Sequence, residues 1–169
     1  MDCTHRYSSP LGGITMACDG TALTGLWFDG QRYFAGTLSA DFRESYTPVF
    51  AETERWLDIY FSGRNPGFTP PLRLKGTPFR RAVWEILLTV PYGTTVTYGQ
   101  IAEILAARKK TGRMSARAVG NAVGHNPVSL IVPCHRVIGA DGSITGYAGG
   151  PDKKEWLLQL ERTGGSRSP

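Results

Sequence analysis

Short apolar runs broken by turn residues fill the first part of the chain. Between Tyr7 and Phe28, "GGITMACDGTALTGLWFDG" alternates apolar stretches with Gly and Asp, which predicts two strands joined at Asp19-Gly20, most simply an antiparallel hairpin. The period changes in "TERWLDIY", where Trp56, Leu57, Ile59 and Tyr60 lie on a helical stripe that stops before "SGRNPG". The following "NPGFTPPLRLKGTP" is rich in Pro and Gly, as a passage between two compact units is, and it sets a boundary near Lys75. Two domains are therefore expected, 1–75 and 76–169.

Beyond the boundary the spacing is helical. Thr77-Pro78 supplies an N-cap with proline in the first turn, and "FRRAVWEILLTV" carries Phe79, Val83, Trp84, Ile86 and Leu87 before Pro91-Tyr92-Gly93 ends it. A second helix starts near Thr97, with Ile101, Ile104 and Leu105 expected inside, and a third starts at the N-cap Ser115. Joined by a short polar segment, these two form a helix-turn-helix candidate. The last helix, "KKEWLLQLERTG", presents Trp156, Leu157 and Leu160 and stops at Gly164, and the tail "GGSRSP" reads as disordered. The class is α+β: a small antiparallel sheet with a helix, then a mostly helical part.

Composition narrows the setting. Hydrophobic residues make up 41% and charged residues 20%, and no apolar run approaches the roughly 18 to 20 residues that span a bilayer. The start, "MDCTHRYSSPLGG", lacks a basic segment followed by an apolar one, so a cytoplasmic location without a membrane segment is expected. Cys3, Cys18 and Cys134 cannot all pair and read as free thiols. Charge is uneven: residues 1–75 hold 7 Lys and Arg against 8 Asp and Glu, a net −1, while 76–169 hold 12 against 6, a net +6. A basic second half suits a polyanionic partner, because Lys and Arg beside phosphates release condensed counterions.

Two stretches carry candidate chemistry. Residues 116–124, "ARAVGNAVG", are small for an amphipathic helix and include two glycines, each unfavourable by about 1 kcal/mol relative to alanine. Either this helix packs tightly on a neighbour with Arg117 solvated, or its small side chains let the backbone approach a surface into which Arg117 reaches. "IVPCHRVIG" sets Cys134 beside His135 inside an apolar run. A buried cysteine is commonly an inert small hydrophobe, but the thiolate is the reactive form, and a neighbouring base or positive charge would be needed to produce it. In an extended segment the two side chains would point to opposite faces, so a dyad needs a turn, which Pro133 favours, or a bridging water. The imidazole also needs a carboxylate, for which Glu155 and Glu161 are candidates.

With "SSPLGGITMACDG", "TYGQIA", "ARAVGNAVGHNP", "PCHRV" and "EWLLQLE" in this order, the chain resembles the O6-alkylguanine-DNA alkyltransferases, also called methylated-DNA-protein-cysteine methyltransferases. The resemblance is strong over about 76–162 and looser before it. It implies a ribonuclease H-like N-terminal sheet with its helix, and Cys134 as alkyl acceptor, His135 as its base through a water, and Glu161 orienting the histidine. Tyr98 would assist flipping and donate a proton to the guanine ring, and Asn126 would brace the active-site turn. Arg117 would be the finger entering from the minor groove, with Ser115, Ala118, Gly120 and Asn121 also at the DNA. Val123, Val137, Tyr147 and Ala148 would line the base pocket, where the Cys134 and Val137 carbonyls accept from the base's amine. No cofactor is implied. Some relatives bind a structural zinc through two Cys and two His; here Cys3, His5 and Cys18 are present but Thr24 occupies one histidine position, so no zinc is expected. The basic "ARKKTGRMS" adds Lys109, Lys110 and Arg113 as candidate phosphate contacts.

The implied function is stoichiometric, irreversible transfer of an alkyl group from O6-alkylguanine, with O4-alkylthymine as a further substrate, in double-stranded DNA to Cys134 of a monomeric protein. Two rival readings are a binding-only relative, which would lack the cysteine, and a Cys-His hydrolase, which would turn over repeatedly.

Overall fold

The computed structural model describes residues 1–109, 114–144 and 146–164, so the tail beyond Gly164 and the candidate contacts Lys110 and Arg113 lie outside the described residues. Three antiparallel strands, β1 (Asp2–Ser9), β2 (Gly12–Cys18) and β3 (Leu23–Phe28), form a meander, and β4 (Phe42–Glu44) joins β1 in parallel, giving the order β3-β2-β1-β4. The expected hairpin is β2–β3, closed where the Asp19 carboxylate accepts from the Thr21 and Ala22 N–H groups and Gly20 takes φ 103°. The strand β1 begins well before Tyr7. Its inward residues Asp2 and Thr4 are polar, so no apolar alternation marks it, and Asp2 is satisfied by the Ser39 N–H (2.9 Å) and Lys75 (3.5 Å).

Helix α1 (Pro48–Phe61) lies on this sheet and buries Val49, Phe50, Thr53, Trp56, Leu57 and Tyr60, a stripe at helical spacing. It starts five residues before the "TERWLDIY" segment because Pro48 occupies the first turn behind the extended Thr47.

The second part holds α2 (Pro78–Leu87), β5 (Val96–Thr97), α3 (Tyr98–Lys109), α4 (Ala116–Gly124), β6 (Val137–Ile138) and α5 (Pro151–Thr163). The N-caps act as expected: Thr77 Oγ1 accepts from the Arg80 N–H (3.2 Å), and Ser115 Oγ from the Ala118 N–H (3.2 Å). Thr97 and Gln100 exchange backbone and side-chain bonds of 2.8 and 3.1 Å, a capping box that opens α3 at Tyr98. Ile104, expected inside, is 38% exposed. At about 100° per residue it lies well off the buried stripe of Ile101, Ala102 and Leu105. Helix α5 ends at Gly164 in the left-handed conformation, as the sequence indicated.

One apolar cluster runs from the sheet through α1 into α2, α3, α4 and α5. The outer edge of β3 grips the chain leading to the "PCHRV" segment, with Leu26 N–H on the Pro127 carbonyl and Ser129 N–H on the Leu26 carbonyl, both 2.9 Å. Helix α4 is held from behind by the buried Trp84, whose Nε1 donates to the Ala122 carbonyl (2.8 Å). Among the described residues no helix is long and apolar enough to cross a membrane.

Candidate active site and nucleic-acid face

The segment entering the site is fixed by its own polar groups. Asn126, 4% exposed, donates from Nδ2 to the Val132 carbonyl (2.7 Å) and accepts at Oδ1 from the Val128 N–H (3.0 Å). Pro133, with ψ 65°, then turns the chain, and Cys134–Arg136 makes one 3₁₀ turn closed by Arg136 N–H on the Pro133 carbonyl (3.0 Å). With about three residues per turn, adjacent side chains diverge by roughly 120°. Cys134 and His135 are therefore both enclosed, at 3% and 0% exposure, without facing each other directly.

Behind the turn, His135 Nε2 lies 2.5 Å from Glu161 Oε2. The same carboxylate accepts from the Tyr60 hydroxyl (2.7 Å), Arg136 Nε (2.8 Å) and the Gly93 N–H (2.9 Å). Burial pushes the Glu161 carboxyl up, but the hydrogen bonds and charges of His135 and Arg136 outweigh it and hold the group at about 2. Burial lowers the His135 pKa, so the ring is neutral near pH 7. An ionised carboxylate only accepts, which places the single ring proton on Nε2 and leaves Nδ1 as a basic lone pair. Nδ1 is buried and has no protein partner.

The thiol itself rests protonated. Burial raises Cys134 to about 11, against the lowering effects of the Asn126 side chain and the Lys154 charge. Lys154, on α5, is fully buried, and that burial lowers its own pKa to about 8. Its Nζ sits 5.9 Å from the centroid of the Tyr98 ring. Tyr147 closes another side, with its ring 6.5 Å from His135 and its buried hydroxyl without a protein partner. Tyr98, at the start of α3, leans on Gly120, where an added Cβ would meet the ring at 3.7 Å. Val123 and Val137 are buried in the same apolar cluster as Cys134 and Tyr147, while Ala148 is half-buried.

On the outer face, Ser115, Arg117, Ala118 and Asn121 are exposed along α4 and line a groove of about 450 Å³ with Thr77, Phe79 and Arg80. At the far sheet, Cys3 stands opposite Cys18, and His5 pairs with Glu54 (3.4 Å) and stacks on Phe50. Among the described residues no group of three or more His, Cys, Asp or Glu is placed to hold a metal.

Residues 4–74 match the family profile described as 6-O-methylguanine DNA methyltransferase, ribonuclease-like domain, and residues 78–163 match its DNA binding domain. The chain is 44% identical over 168 residues to the methylated-DNA–protein-cysteine methyltransferase of Mycobacterium tuberculosis, covering 98% of this chain and 93% of that one. The chain belongs to that family. The methylated-DNA–protein-cysteine methyltransferase of Methanosarcina acetivorans is 40% identical over 158 residues, covering 92% of this chain and 95% of the relative. The crystal structure of M. tuberculosis OGT in complex with DNA superposes with a TM-score of 0.81 at 42% identity, covering 96% of this chain and 93% of that one. Direct repair by alkyl transfer is the function of the methylated-DNA–protein-cysteine methyltransferases.

For this methyltransferase chain the structure brings Cys134, His135, Glu161 and Asn126 together and sets Tyr98 between Lys154 and α4. Of the two carboxylates left open by the pattern, Glu161 joins the histidine and Glu155 faces solvent. Sequence reasoning passed over Tyr60, Arg136 and Lys154 as functional groups. Lys154 stands in a charged run that reads as a solvated helix start, and Tyr60 reads only as part of an apolar stripe.

Proposed function

We propose that the protein removes an alkyl group from O6 of guanine, and from O4 of thymine, in double-stranded DNA and keeps it on Cys134 Sγ. Arg117 enters the stack from the minor groove as the nucleotide swings out, with Ser115, Ala118, Gly120 and Asn121 against the strand, and the base enters the pocket formed by Val123, Val137, Tyr147 and Ala148. The Cys134 proton passes through a water to His135 Nδ1, and Glu161 balances the imidazolium that forms. The Sγ–C bond forms as the C–O6 bond breaks, and the electron pair left on the guanine is neutralised by the Tyr98 proton. A thioether does not hydrolyse, so each molecule acts once. The reading includes two sequence units, 1–75 and 76–169, and a monomer acting in the cytoplasm.

The observation that carries this reading is the buried Cys134 beside a histidine whose Nε2 is held by Glu161 (2.5 Å) and whose Nδ1 has no protein partner. The deciding experiment is intact mass spectrometry after incubation with duplex DNA containing O6-methylguanine. One added methylene mapped to Cys134 is expected. Repeated turnover on an ester, or no mass change, overturns the reading.

A further inference from the structure

The exposed face of α4 does not end with the helix. Arg117 and Asn121 are four residues apart and His125 follows at the same spacing, so the three lie along one stripe. The His125 ring is fixed by its Nδ1, which donates to the Asn121 carbonyl (2.8 Å). Against that ring lies Tyr33, from the loop after β3, with centroids 3.8 Å apart and planes inclined by 23°. The Arg32 guanidinium lies 5.4 Å from the Tyr33 centroid.

This loop is built, not loose. Gln31 Oε1 accepts from the Phe28 N–H (2.9 Å) and its Nε2 donates to the Arg32 carbonyl (3.1 Å). The Arg32 N–H donates to the Ala148 carbonyl (3.1 Å), tying the loop to the segment that closes the base pocket. Tyr33 itself holds φ 58°, a conformation that only surrounding contacts maintain in a bulky residue. Yet Tyr33 and Phe34 are 46% and 42% exposed, and Arg32 is exposed beside them. Between Arg32–Tyr33 and the glycines Gly120, Gly124 and Gly146 runs a cleft of about 180 Å³. Asp29, the carboxylate nearest in the chain, is already engaged by Arg6 and Thr15.

We propose that the loop Gln31–Phe34 extends the DNA-binding face into the N-terminal half, with Arg32 pairing with a backbone phosphate of the strand that crosses α4 and Tyr33 packing on the adjoining deoxyribose. A cation and an aromatic ring set side by side along a glycine-floored cleft suit a nucleic-acid backbone. The cleft is continuous with the face that carries Arg117 and Asn121. The proposal rests on α4 being the helix that meets DNA, and it adds a contact from outside the helix-turn-helix.

The test uses the full chain with Arg32→Ala, Arg32→Lys and Tyr33→Ala. Affinity for an unmodified duplex is measured by anisotropy between 50 and 200 mM salt, and alkyl transfer is measured with the free base O6-benzylguanine. Loss of one phosphate contact flattens the log–log salt slope by about 0.9, so over that fourfold range the wild type loses about 3.5-fold more affinity than Arg32→Ala. Arg32→Lys is expected to keep the slope, Tyr33→Ala to weaken binding, and all three to react with the free base at the wild-type rate, which also certifies a folded site. A wild-type slope in Arg32→Ala overturns the proposal. A wild type that transfers nothing to Cys134 defeats the proposed function instead, and the slope comparison still reads the DNA contact.

Discussion

Glu161 gathers His135, Tyr60, Arg136 and the Gly93 N–H on one carboxylate, and its charge has two consequences. The first is stability. A carboxyl held at about 2 against an ordinary 4.5 stabilises the fold above pH 4.5 by about 3 kcal/mol, and that contribution disappears as pH falls toward 2. His135 acts in the same direction at higher pH. Its lowered pKa keeps it neutral when folded while the unfolded chain takes up a proton below about 6.5, so acidification already lowers stability there. Urea unfolding at a series of pH values is expected to show both losses in the wild type and a smaller lower loss in Glu161→Gln, the remainder coming from carboxyls such as Asp2 that are also held low. An undiminished lower loss in that variant would contradict the assignment. The second consequence is reactivity: Glu161→Gln leaves the imidazolium unbalanced and is expected to slow transfer by about a hundredfold or more, measured in single-turnover assays.

The thiol and its base together set the pH dependence of that rate. With Cys134 near 11, less than a thousandth of the protein is thiolate at neutral pH, so the thiol reacts by passing its proton to His135, and the rate is expected to rise with pH only until that ring is neutral, below about 6.5, and then to level. Above about 8 Lys154 loses its proton and with it a charge that favours the thiolate, so the plateau is expected to give way to a fall. Lys154→Met, measured over the same pH range, should remove the break and lower the rate below it. An unchanged profile would show that Lys154 does not act on the thiol. At this scale Cys134 and His135 were legible in the sequence from their chemistry and setting. Lys154 was not, because a charged residue in the first turn of a polar helix start gives no sign that the helix will be pressed face-down over a thiol.

Helix α4 owes its position to what lies behind it, and its function to what is missing in front. Trp84 pins the Ala122 carbonyl from α2, and Gly120 lets Tyr98 sit against the helix. Arg117, exposed on the opposite side, is free of these packing roles. Arg117→Ala is therefore expected to slow repair of duplex DNA strongly while leaving dealkylation of the free modified base and the melting temperature unchanged. Equal losses on both substrates would remove Arg117 from the flipping step. The helices α2 to α5 were legible because caps such as Thr77 and Ser115 and apolar stripes coincide. The strands at the sheet's far edge were not: β1 turns Asp2 and Thr4 inward, and the three residues of β4 are all exposed, so neither carries the alternation that marks a half-buried strand.

Across the whole molecule, the two sequence units meet through a backbone ladder as well as a side-chain seam. Leu26 on β3 exchanges hydrogen bonds with Pro127 and Ser129, two residues of the stretch that Asn126 braces and that ends at Cys134. The apolar cluster is also shared, from Ile14 and Phe50 on one side to Leu105 and Leu157 on the other. Opening the N-terminal sheet therefore strips a wall from the active-site turn, and the units are expected to unfold together. Trp27 and Trp56 report on the first unit, Trp84 and Trp156 on the second, so urea unfolding can be followed for each half with the tryptophans of the other replaced by Phe. Coincident midpoints, matching the far-UV circular dichroism, are the expected result for one cooperative transition. Asn126→Ala, which leaves the buried Val132 carbonyl and Val128 N–H short of a partner, should lower both midpoints by an equivalent of about 1 to 3 kcal/mol. If only the second half shifts, the ladder at Leu26 does not couple the units, and the N-terminal sheet is a neighbour of the active site rather than its wall.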